Sequence, residues 1–157
     1  MENILLITLY FFALNYTVMF GAFYFKNDWA LRFLFRYPLR DIIENSPSQD
    51  TLRWTSIGIM FHRMEASFGI ALGVMTALMT YVNQGNLKAL SMLSACVSIH
   101  AMVVCINHSL NYADHAEFCR QKHIPETVRT TLGLMRYAAA FMALLYGALA
   151  VYGFKAA

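Results

Sequence analysis

Charge is what this 157-residue chain has least of. Lys, Arg, Asp and Glu together make up 13% of it, where an average soluble domain carries roughly 25%. Residues 3–25, 66–87 and 89–113 contain none of the four, and residues 130–154 contain one, Arg136. A water-soluble bundle can hide one such helix in its core but not four of four, which excludes a soluble globular domain. Cysteine is scarce too: Cys96, Cys105 and Cys119 show no CxxC and no zinc spacing. Cys96 and Cys105 would stand about 180° apart around one helix, so they cannot pair with each other and read as free thiols. There is no phosphate-binding Gly loop, no GxSxG, no HExxH and no usefully spaced pair of carboxylates, so no soluble-enzyme motif survives. No nucleic-acid partner is expected. Met1-Glu2-Asn3 lacks the charged leader of a secretory signal, and the first apolar run is expected to stay as a helix.

What the chain has is four long apolar runs. About 20 apolar residues cross a hydrocarbon core roughly 30 Å thick. With no water to bond it, the backbone there must satisfy itself as helix. The sequence predicts an all-α fold, an integral membrane four-helix bundle, as a single membrane domain over residues 1–157. Its helices are expected over about 4–25, 51–82, 88–111 and 126–154. Gln84-Gly-Asn86 reads as a tight turn, and Asp114 to Glu126 as a short loop.

If the helices alternate in direction, ten of the twelve Lys and Arg residues fall on one side, and only Lys88 and Lys155 lie opposite. The positive-inside rule then puts residues 26–55 and 114–129 inside, with both termini on the outer side. Between helices one and two, Arg32, Arg36 and Arg40 recur every four residues, and Phe33, Leu34, Phe35 and Tyr37 fill much of the other face. That is the pattern of a short amphipathic interfacial segment with its arginines toward anionic phospholipid headgroups. An ordinary basic loop beside the membrane has the same composition. The expected location is the bacterial inner membrane or the mitochondrial inner membrane.

Helix three carries the most informative pattern. Projected at about 100° per residue, Cys96, His100, Asn107, Asn111 and Asp114 share one stripe, with His108 and His115 about 60–80° to one side. Ser91, Ser98 and Ser109 lie opposite, where a hydroxyl can bond its own helix backbone. An unpaired amide or imidazole in lipid costs on the order of several kcal/mol, so the stripe is expected to face protein, water or a bound group. Helix two offers a matching face of His62, Glu65, Gly69, Gly73, Thr76 and Thr80. Its Gly69-Ile-Ala-Leu-Gly73 has the GxxxG spacing that lets another backbone come close. Helix four adds Gly133, Ala140 and Gly147 at heptad spacing, with Arg136 beside them.

Alternating topology gathers His62, Arg63, His108, Asp114, His115 and Arg136 at the inside end, with His100 about two turns deeper. Such a pocket has three readings. It can hold a quinone headgroup, because His, Arg and Asp donate hydrogen bonds to carbonyl oxygens or move protons. It can ligate the iron of haem b through His108 or His100, as neutral imidazole does. Or it is a charge-satisfied core, with Arg136 paired to Glu65 or Asp114.

From about Met60 to Tyr152 the chain resembles the cytochrome b membrane-anchor subunit of succinate dehydrogenase. The likeness lies in His62-Arg63 where a helix begins, and in His108-Ser-Leu-Asn-Tyr-Ala-Asp-His115 near the same surface. It implies that Arg63 lies near a quinone and that His108 is the haem-ligand candidate. This chain differs in its additional N-terminal helix and in Asp114, where that family has Arg. Ser67-Phe-Gly-Ile70 is similar to a Thr-Phe-Gly-Ile pattern in the four-helix scaffold protein of ergosterol synthesis. The length and layout also resemble membrane glutathione-transferase relatives, whose Arg, His, Asn and Glu set is echoed in type by His62, Arg63 and Glu65.

Taken together, the expected function is a membrane-embedded anchor or accessory subunit of a larger complex, respiratory in kind and not an enzyme by itself. Its partners would be other membrane-protein subunits. The alternatives are a quinone- or haem b-binding redox anchor, and a small lipid-metabolising enzyme of the glutathione-transferase type.

Overall fold

The computed structural model describes residues 1–26, 49–122 and 129–157. Four helices follow one another: α1 (Glu2–Phe25), α2 (Gln49–Val82), α3 (Leu87–Lys122) and α4 (Arg129–Ala156). Each contains a stretch long and apolar enough to cross a membrane: Glu2–Phe25, Arg63–Val82, Leu87–Asp114 and Gly133–Ala156. Such helices suggest an integral membrane protein. The segment carrying Arg32, Arg36 and Arg40 lies outside the described residues, as does Pro125.

One boundary departs from expectation. Helix α3 was expected to end near Asn111 and give way to a loop at Asp114, but it runs on to Lys122. The apolar run stops and the helix does not, because a change of solvent is no break in the backbone pattern. Ala113, Ala116, Glu117 and Arg120 are good helix formers. Arg120 also donates from Nε and Nη2 to the Glu117 carboxylate one turn back, at 3.0 and 2.8 Å.

The chain packs as two compact units: Met1–Phe11 with Thr76–Ala157, and Phe12–Met75. In the first, the α2–α3 connection is the expected tight turn. Gly85 takes a φ of 82°, a left-handed conformation that glycine adopts without a Cβ penalty. Asn86 then caps α3, its side-chain oxygen accepting from the Ala89 amide at 3.1 Å. The turn is fastened to the start of α1. The Glu2 carboxylate accepts the Gly85 amide at 2.7 Å, and Gln84 donates to the Tyr10 hydroxyl at 3.1 Å. Leu5, Leu9, Leu90, Val97, Ala143, Tyr146 and Ala150 are among the buried core of this unit.

In the second unit, α1 and α2 meet across small residues. Phe12, Ala13 and Phe23 of α1 and Ala66 of α2 are buried. The rings of Phe12, Tyr16, Phe20 and Phe23 form a ladder, with successive centroids 4.2, 5.2 and 6.2 Å apart. The GxxxG spacing does what its chemistry allows. A Cβ at Gly69 would fall on the Phe20 ring, and one at Gly73 would stand 2.9 Å from both the Ala13 carbonyl oxygen and the Thr17 nitrogen. Backbone therefore approaches backbone at Gly73, and only hydrogen fits between. Gly21, by contrast, has open space where its Cβ would be.

Gly73→Ala should thus lower stability by about 1–3 kcal/mol, the usual cost of forcing a methyl into a filled contact. Gly21→Ala should raise it by about 0.5–1 kcal/mol through helix propensity alone. Unfolding both variants with SDS in mixed micelles separates the two; equal effects would mean that the close approach at Gly73 does not exist.

Candidate functional site

Helices α3 and α4 pack antiparallel along a seam of small residues. On α3 the seam takes Ser91, Ser94, Ser98, Ala101 and Cys105 at alternating steps of three and four; on α4 it takes Ala139, Ala143, Tyr146, Ala150 and Gly153 in the same way. That spacing keeps one face of each helix turned toward the other. Two hydrogen bonds cross the seam. Ser94 Oγ donates to the Tyr146 carbonyl at 2.8 Å, and Ser98 Oγ donates to the Ala143 carbonyl at 2.7 Å. A hydroxyl so short reaches the next helix only if the backbones are close, which explains the glycines. A Cβ at Gly147 would stand 3.1 Å from Ser98 Oγ, and one at Gly153 would run into the Ser91 side chain.

Ser91 and Ser109 do bond their own helix, to the carbonyls of Leu87 and Cys105 at 2.7 and 2.8 Å. Ser98 does not, against expectation, because the carbonyl of Ala143 is within reach. Nothing in the polarity of α3 singles out Ser94. The signal that finds it is the three-and-four spacing of the smallest residues in the helix, rather than the position of its most polar ones.

Tyr146 joins three helices. It is 1% exposed, its carbonyl takes the Ser94 bond from α3, and its hydroxyl donates to the Thr8 carbonyl of α1 at 2.6 Å. A buried phenol needs such a partner.

Farther along the same pair of helices lies an aromatic and basic cluster. The Arg136 guanidinium sits 4.4 Å from the Tyr112 ring centre and 4.8 Å from that of Tyr137. It also donates through Nη2 to the Tyr137 hydroxyl at 3.0 Å. Its Nε is buried with no hydrogen-bond partner, and among the described residues Arg136 meets no carboxylate. Within the first unit, Arg136 does not take the expected pairing with Asp114; two ring faces hold it instead, each worth about 0.5–2 kcal/mol to a cation. Tyr112 has room because Gly133 lies opposite; a Cβ there would be 3.5 Å from its ring. His108 is half-buried one turn before Tyr112, on the α4 side of α3.

His100 is half-buried, Asp114 is exposed at the end of the apolar stretch, and Arg63, in the second unit, is exposed. The His62 side chain lies outside the described residues. His100 and His108 stand about 80° apart around α3. Among the described residues no three His, Cys, Asp or Glu side chains gather as a metal-ion site.

The polar stripe of α3 faces away from α4. Cys96, Asn107, Asn111 and Asp114 are exposed on the side opposite Ser94 and Ser98. Neither Asn107 nor Asn111 has a hydrogen bond to any described residue.

Tyr146→Phe should cost about 0.5–1.5 kcal/mol, the net worth of one buried hydrogen bond. Ser98→Val, which loses a bond and adds bulk beneath Gly147, should cost more, about 1–3 kcal/mol. Their ranking in the same SDS titration checks the seam; a harmless Ser98→Val would place α4 farther away.

The chain matches no protein-family model, no curated protein and no solved structure at a significant level.

Proposed function

We propose that this chain is a membrane-embedded anchor or accessory subunit of a larger membrane complex of respiratory type, in a bacterial or mitochondrial inner membrane. The observation that carries the reading is the pair of exposed amides on α3. Asn107 and Asn111 both lie in the apolar stretch Leu87–Asp114, Asn107 the deeper of the two, and the described residues of their own chain give neither a hydrogen bond. Acyl chains cover exposed leucine and valine well, but they offer an amide nothing. A surface of that kind is finished by another protein. The exposed apolar stripe of α1, Ile4, Ile7, Phe11, Leu14 and Val18 at alternating three- and four-residue steps, suits a further partner helix. In the same reading the positive-inside rule sets residues 26–55 and 114–129 inside, with Arg32, Arg36 and Arg40 toward anionic headgroups.

A second reading, a redox anchor, draws on the cluster around Arg136. A guanidinium held by two tyrosine rings, with a half-buried imidazole on the neighbouring helix face, fits a quinone carbonyl as a hydrogen-bond acceptor. To accept from Arg136 Nη2, such a carbonyl would take the place of the Tyr137 hydroxyl. His108 and His100 are the residues that would hold haem b iron; the haem itself would supply one-electron transfer.

Purification in mild detergent followed by a dithionite-reduced minus oxidised spectrum tests both. Under the first reading the chain runs with stoichiometric partner subunits and contributes no b-type band of its own. A band abolished by His108→Ala or His100→Ala would replace it with the redox-anchor reading. A monodisperse monomer with a flat spectrum would sink both.

A further inference from the structure

We propose that α3 packs against α3 of a second copy of this chain, with Asn107 in the centre of the contact. The inference rests on the reading of Leu87–Asp114 as a membrane span, and it names one partner in the assembly proposed above. That span has 28 residues and is about 42 Å long. A hydrocarbon core of about 30 Å centred on it covers roughly residues 91–110. Asn107 then lies in hydrocarbon about one turn from the edge, and Asn111 lies just beyond it.

The face around Asn107 has the spacing of a packing seam. Cys96, His100, Val103, Asn107 and Leu110 follow at alternating steps of four and three; His100 is half-buried and the other four are exposed. This face is opposite the one that Ser94 and Ser98 give to α4, and the described residues leave it exposed at Val103, Asn107 and Leu110. The apolar members could meet lipid. Asn107 is what calls for a protein.

A second copy is the occupant that the chemistry favours. An amide carries an acceptor oxygen and two donor hydrogens, so two asparagines satisfy each other reciprocally. Copies of one chain enter a membrane in the same orientation, and a two-fold axis along the membrane normal sets each Asn107 against its counterpart at equal depth. An unrelated helix would have to bring a polar group to that same level. A single asparagine at such a seam position also fixes register. Asp114, on the same stripe, ends the span and stays in water, where like charges are screened.

The geometry provides its own probe. Cys96 is exposed and lies about 20° from Asn107 around the helix, three turns away, so two Cys96 thiols would face each other across the axis. Cys105 is half-buried on the α4 side. Two differently tagged copies are expressed together, and native membranes are oxidised with copper phenanthroline. Each bond takes two electrons and two protons from a pair of thiols. The expected result is a dimer carrying both tags, kept in the Cys105→Ser, Cys119→Ser background and lost in Cys96→Ser. With Cys96 present, Asn107→Leu should weaken association about 5- to 30-fold, measured by fluorescence transfer between labelled copies in micelles.

Membrane residence is followed by retention after alkaline carbonate. If the chain stays in the membrane and runs with other subunits but gives no Cys96-dependent dimer, self-association is wrong and the subunit reading stands. Unchanged association in Asn107→Leu overturns the proposal too. A chain released by carbonate overturns the membrane reading beneath it.

Discussion

Two serine hydroxyls that reach carbonyl oxygens on the neighbouring helix set the distance on which the α3–α4 pair depends. Ser94 and Ser98 have the shortest polar side chains available, and their bonds of 2.8 and 2.7 Å end on backbone. The helices must therefore lie near the small end of the usual 8–10 Å range between axes. Every position between them is constrained by that, which is why Ala139, Ala143, Gly147, Ala150 and Gly153 follow each other on α4. Tyr146 is the large exception, and its ring leaves the seam for α1, where Thr8 accepts its hydroxyl. Between helices in lipid no hydrophobic force acts, so there close packing and a few hydrogen bonds of this kind would carry the association. The same economy governs α1 and α2, where Gly73 carries no Cβ to hold the two backbones apart.

The polar groups of the span divide accordingly. Hydroxyls lie inside, where each finds a carbonyl within its own turn or the next helix. Amides lie outside, where the described part of the chain gives Asn107 and Asn111 nothing. Arg136 takes a third course and is held by ring faces. Ring faces attract a cation without neutralising it, so the cluster keeps a full positive charge.

The four helices were legible because apolar runs of this length have one stable backbone in lipid. The Gly85 turn was legible because Gln84-Gly-Asn86 has the residues that a left-handed φ and a helix cap require. The Gly69 and Gly73 contact was legible from spacing. The extension of α3 to Lys122 was not, because hydropathy marks where a helix changes solvent and says nothing of where it ends. The choice of packing face on α3 was not legible either. Ranking side chains by polarity drew attention to His100, Asn107 and Asp114, whereas in a lipid-like environment the smallest side chains decide which face closes. The partners of Arg136 depend on the register between α3 and α4, and no single-helix projection contains that.

The bond between the Glu2 carboxylate and the Gly85 amide has a meaning in time as well as in space. Synthesis at about 5–20 residues per second puts roughly 4 to 17 s between these two groups leaving the ribosome. During that interval α1 is complete and its clamp does not yet exist. The first helix must wait with its Glu2 unsecured until the α2–α3 hairpin turns and offers the amide. The order of synthesis thus makes the hairpin the element that captures α1, and a delay in forming the Gly85 turn would be a delay for the entire first unit.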